Sequence, residues 1–173
     1  MIYTFLDTGV LDELLQIPAY SDDGKSAQIK MEFKERINRG EKLMIPFAAV
    51  IEIGNHIAQI KTNDKERRRC AEQFAEFLDK SRNNTAPWIL CVEGLTEDQI
   101  GFISEKLGEI GSGMQIGTGD ISIVYQYKKF RETVSGTAEG VGIWSLDHHI
   151  PILQQKLDAE LQYGGSGKRR RNR

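Results

Sequence analysis

The chain has 173 residues, enough to bury an ordinary single core without disulfides or a structural metal. Two cysteines without CxxC spacing and without a secretory leader fit a reduced, cytoplasmic protein better than a stapled extracellular one. The net charge of −2 hides a basic end: five of the last six residues are Lys or Arg, leaving 18 basic against 25 acidic residues in the body. That body is too acidic to wrap duplex DNA by charge alone, and no apolar run is long enough to span a membrane.

Met1 to Leu6 (MIYTFL) is a short apolar, β-rich run, and DTG supplies a turn into a short helix through Leu11, Leu14 and Leu15. After the Asp22, Asp23, Gly24 loop, Ile29, Phe33 and Ile37 recur at helical spacing until Gly40, a residue suited to the left-handed position past a helix end. Lys42 to Pro46 (KLMIP) predicts a second buried strand, followed by a helix with Ala49, Ile53, Ile57 and Ile60 on one side and Glu52 in its first turns. Asn63 and Asp64 cap a further helix carrying Cys70, Phe74, Phe77 and Leu78.

Trp88 to Val92 (WILCV) is a third strand, and Thr96 with Gln99 forms a capping-box pattern that starts a helix to about Ile110. Glycines at 111, 113, 117 and 119 break the chain before Asp120 opens a helix running to Lys128 and Lys129. Val141 to Leu146 (VGIWSL) is the last strand, and Asp147 ends it. Strands alternating with helices define an α/β chain, a three-layer sandwich with a central, mainly parallel sheet and helices on both faces. Residues 1–163 are expected to form one domain, with GGSGKRRRNR (164–173) as a basic, disordered tail.

Four acids fall at strand ends or helix starts: Asp7, Glu52, Asp120 and Asp147. In an open parallel sheet such positions gather at one edge. Singly, each has an ordinary role as an Asx turn, a helix cap or a solvated helix residue. Jointly they adjoin apolar runs, and no Lys or Arg lies within a few residues of any of them. A shared cation is the economical partner, and carboxylates without a His/Cys set favour Mg²⁺ or Mn²⁺ over zinc.

The segments YTFLDTGVL, IPFAAVIEIGNHI, IGTGDISIVYQY and GIWSLDHHI resemble, in order and spacing, the PIN-domain nucleases, and in particular the VapC-type toxin ribonucleases. The resemblance spans most of residues 1–150. It implies a PIN-like fold and a metal-dependent endoribonuclease with Asp7, Glu52, Asp120 and Asp147 as the catalytic metal ligands. It also implies a small antitoxin partner and a homodimer. Gly9, His148 and His149 stand where the family commonly has Asn or Ser and a further Asp or an aromatic.

Thr8, His56, Thr118 and His148 are candidates for substrate contact or for supporting the acids; His56 lies one helical turn past Glu52. Buried hydrogen bonding is the plainer role for His56. Two basic clusters, Lys65 with Arg67 to Arg69 and Lys128 with Lys129 and Arg131, are either solvated helix faces or rims that guide a polyanion. Aspartyl phosphatases need an acid at position 9, receiver domains an Asp after the third strand, and P-loops a terminal Lys-Ser/Thr; none is present. A non-catalytic PIN-like module that binds protein or RNA is the competing expectation, set against the repulsion among four clustered acids.

Overall fold

The computed structural model describes residues 1–61, 63–92, 95–110, 116–134 and 140–167, the side chains at 109, 110 and 160–167 excepted. In chain order the elements are β1 (Ile2–Leu6), α1 (Thr8–Leu15), α2 (Asp23–Asn38), β2 (Lys42–Pro46), α3 (Phe47–Ala58), α4 (Asp64–Arg82), β3 (Trp88–Cys91), α5 (Glu97–Ile110), α6 (Thr118–Val134), β4 (Gly140–Trp144) and α7 (His149–Gly167). The four strands form one sheet in the order β3-β2-β1-β4, every pair parallel. Register sets Thr4 opposite Leu43 and Leu6 opposite Trp144.

Alternation along β1 explains the layering. Leu6, with Leu43 and Ile45 of β2, points into a core built from α1, α2, α3 and α4, where Val10, Leu11, Ile53 and Cys70 are fully buried. Phe5 and Met44 point the other way, onto Tyr127 of α6. Beyond them α5, α6 and α7 pack together through Phe102, Ile121, Val124, Ile150 and Leu157. Covering both faces lets the strands be apolar throughout, as parallel sheets require. Removing each such side chain from water contributes roughly 1.5–3 kcal/mol.

Local chemistry sets the boundaries. Asp22 and Asn63 accept bonds from Lys25 N and Glu66 N and so cap α2 and α4. Thr96 Oγ1 accepts from Gln99 N at the start of α5, and Gly40 takes the left-handed φ of +77° after α2. Three boundaries differ from expectation. Strand β3 stops at Cys91, β4 stops at Trp144, and α6 begins at Thr118, so Asp120 lies within its first turn. Helix α7 had no counterpart in the sequence reading and carries helical backbone to Gly167, into the GGSG stretch assigned to the tail. The basic run 168–173 and the glycines at 111 and 113 lie outside the described residues.

Candidate functional site

The order β3-β2-β1-β4 reverses direction at β1, so a crevice opens beyond the carboxyl ends of β1 and β4, where open α/β sheets bind ligands. Asp7 follows β1 there and caps α1: its Oδ1 accepts from Thr8 N at 2.7 Å. Its backbone N–H donates to Trp144 O at 3.0 Å, tying the first strand's end to the last strand's end. Its second oxygen, Oδ2, accepts from Ser145 Oγ at 2.7 Å. Ser145 Oγ in turn accepts from Asp147 N at 2.9 Å, so the loop after β4 is wired to Asp7.

Glu52 arrives from α3, where Thr8 Oγ1 donates to its Oε2 at 2.7 Å. The first turn of α6 presses against the same carboxylate: a β-carbon at position 119 would sit 3.0 Å from Glu52 Oε2, so only glycine fits without moving it. Asp120, in that turn, accepts from Gly117 N at 2.9 Å through Oδ2 and so reaches back over the helix start as a capping box does. Asp147 is exposed, three residues past β4 rather than at its end, and accepts from His149 N at 2.8 Å in an Asx turn that leads into α7.

Electrostatics link the four. Burial pushes the Asp7 carboxyl up to about 6; the Ser145 and Thr8 bonds pull it down, while the charges of Asp120 and Glu52 raise it further. Burial also raises Asp120, against its bond from Gly117, and Glu52 and Asp147 add to the rise. Among the described residues no Lys or Arg pairs with any of these acids. The basic clusters are engaged locally instead: Arg67 pairs with Asp64, Arg69 donates to Gln73, Lys129 pairs with Asp98, and Arg131 pairs with Asp158. Lys128 lies over the Phe102 ring.

The acids therefore share one edge in graded burial, Asp7 at 4% exposure and Asp147 in solvent. As placed, no three His, Cys, Asp or Glu side chains among the described residues form a ready-made ligand set. Apart from the His149 ring near Asp120, the donors are carboxylate and hydroxyl oxygens, the chemistry that suits Mg²⁺, an ion that keeps several waters and needs only one or two carboxylates directly.

Of the other candidates, Thr8 serves Glu52, Thr118 opens α6 beside Glu52 and Gly119, and His148 is exposed in the turn before α7. Among the described residues the hydrogen bonds of the His56 ring go to Asp12 rather than to Glu52 or backbone: its Nδ1 lies 3.0 Å from both Asp12 oxygens. Asp12 and Ser145 are the residues that sequence reasoning missed. Asp12 is buried to 3% exposure, which pushes its carboxyl up to about 6 against the opposing pull of His56. Its place four residues past Thr8 puts it on the same face of α1 but does not name its partner.

A cavity of about 630 Å³ adjoins the acids, with Glu52, Thr118 and Gly119 at one end and apolar walls from α3 and α5. Phe47, Ile51, Leu95 and Ile100 on those walls are between 43% and 68% exposed, an unusually open apolar surface beside an acidic crevice. Fold and site together define an α/β chain with an unneutralised carboxylate cluster at the switch point of a parallel sheet. No family model, curated protein or solved structure matches it. Among the described residues no helix is long and apolar enough to cross a membrane.

Proposed function

We propose that the chain is a Mg²⁺- or Mn²⁺-dependent endoribonuclease with a PIN-like site, the toxin of a toxin–antitoxin pair. The observation that carries the reading is Asp7, a buried carboxylate at the end of the central strand, raised toward 6 by burial and by its acidic neighbours, with no basic partner among the described residues. Such a cluster costs stability unless a cation offsets it. Asp7, Glu52, Asp120 and Asp147 would hold the ion.

When bound, the ion supplies Lewis acidity and a water acidic enough at neutral pH to attack a phosphodiester. Thr8 fixes Glu52 through Oε2, and Oε1 would serve to hold the ion or to orient a water. Ser145 fixes Asp7 Oδ2 toward the loop of Asp147, so both strand ends move as one unit. Hydrolysis leaves a 5′-phosphate and a 3′-hydroxyl. The open apolar cavity beside Glu52 supports an antitoxin segment as partner, since single-stranded RNA alone would not need Leu95 and Ile100.

The second reading, a binding module that does not cut, is favoured by the absence of a ready-made ligand set among the described residues and by the Asx turn that occupies Asp147. Single-stranded RNA and DNA incubated with Mn²⁺, Mg²⁺ or EDTA separate the two. Metal-dependent RNA cleavage lost in Asp7→Asn and Asp120→Asn supports the nuclease. Absence of cleavage together with an unchanged melting temperature on Mn²⁺ addition sinks it. Harmless expression and no complex with the product of the neighbouring reading frame sink the toxin version alone.

A further inference from the structure

Asp12 lies one turn past Thr8 on α1, and His56 one turn past Glu52 on α3. Residues four apart on a helix share a face. Two helices that touch at Thr8 and Glu52 therefore touch again at Asp12 and His56, as successive rungs. The first is a hydroxyl-to-carboxylate bond of 2.7 Å; the second sets His56 Nδ1 3.0 Å from both Asp12 oxygens.

A third group closes over the imidazole. Tyr20 stacks on His56 with centroids 3.6 Å apart and planes 7° from parallel, and its hydroxyl donates to Gln59 Oε1 at 2.8 Å. The turn that delivers Tyr20 passes through Gln16 (φ 52°) and Ala19 (φ 70°), left-handed conformations that side-chain-bearing residues adopt at a cost and keep only where the surroundings fix them. With an acid on one nitrogen and a ring on its face, His56 is locked.

Glu52 needs a locked neighbour. It is a long side chain in the field of Asp7, Asp12 and Asp120, without a Lys or Arg partner among the described residues, and repulsion favours rotamers that swing it away from the crevice. Thr8 can hold it only while the two helices keep their spacing. We propose that Asp12 and His56 are a positioning pair for Glu52, clamping α3 to α1 one turn beneath the Thr8 bond so that the Glu52 carboxylate stays at the acid cluster. The inference deepens the nuclease reading and rests on it for the use of Glu52, but the geometry it requires is measurable without metal.

The test is carboxyl ¹³C NMR on glutamate-labelled full-length chain in metal-free buffer, with the Glu52 resonance assigned through Glu52→Gln. His56→Ala and Asp12→Ala should each move that resonance toward the position of a free glutamate. His56→Asn, whose amide can replace the Nδ1–H donor, should return most of the shift. A Glu52 resonance unchanged in His56→Ala and Asp12→Ala, with only the melting temperature lowered, overturns the proposal and leaves a brace without influence on the site. Should His56→Ala not fold, Asp12→Ala and His56→Asn decide by the same resonance. Mn²⁺ added to the parent chain then separates the two readings: missing line broadening at Glu52 defeats the metal site, while the metal-free shifts still decide the pair.

Discussion

Replacing Asp7 by asparagine tests the electrostatic core of the site. The carboxyl is held at about 6 against an ordinary 3.8, roughly 2 pKa units, which corresponds to about 3 kcal/mol. Because the folded value lies above the unfolded one, the folded chain binds this proton more tightly. Its contribution to stability is full below about pH 4 and is lost as pH rises through about 6. Asparagine cannot ionise, yet its Oδ1 still accepts from Thr8 N; it forfeits the bond from Ser145, worth about 1 kcal/mol. Asp7→Asn should therefore be about 1–2 kcal/mol more stable than the parent at pH 7.5 in EDTA. At pH 4 it should be equal or slightly weaker. Urea denaturation across that range reads the difference as a midpoint shift of about 0.5–1 M at neutral pH for a slope of about 2 kcal/mol/M. The parent should lose stability steeply between pH 4 and 6, since Asp12 and Asp120 are raised as well, and the variant should keep only their shares. Parallel pH curves for parent and variant would refute the reasoning, because a carboxylate whose removal leaves the slope untouched is not desolvated.

Gly119→Ala places a methyl group 3.0 Å from Glu52 Oε2, so the rise in melting temperature that the proposed metal site predicts on Mn²⁺ addition should be smaller than in the parent, while stability without metal changes by less than about 1 kcal/mol. Ser145→Ala removes the bond that lowers Asp7, and ¹³C titration of the Asp7 carboxyl should show a higher midpoint than in the parent. A control lies outside the crevice: Glu41, held below the usual carboxylate range by bonds from Arg39, Thr4 and Arg36, is buried before β2. Glu41→Gln should cost about 1–3 kcal/mol at pH 7. That deficit should shrink as pH falls below the ordinary glutamate value, because a depressed folded pKa stabilises only above it, and thermal melts at pH 3.5 and 7 check this.

Much of the fold was legible because local chemistry and burial agreed. Lys42 to Pro46 reads as a strand since both of its faces are covered, and Asn63 marks a helix start because its side chain satisfies an orphan amide. The shared edge of Asp7, Glu52, Asp120 and Asp147 was legible from strand–helix alternation alone, since that alternation forces parallel strands. Asp12 and Ser145 were not, because their importance lies in partners 44 and 138 residues away, and spacing along one element carries no trace of such contacts. Helix α7 was readable in principle. Ile150, Leu153 and Leu157 recur at helical spacing and are buried, and Pro151 falls in the first turn, where a missing N–H does no harm. The terminal glycines masked that pattern.

The bond from Ser145 to Asp7 joins residues from opposite ends of the polypeptide. Vectorial synthesis leaves β1 without its β4 neighbour, and Asp7 without the Ser145 donor, until residues 140–145 have been made.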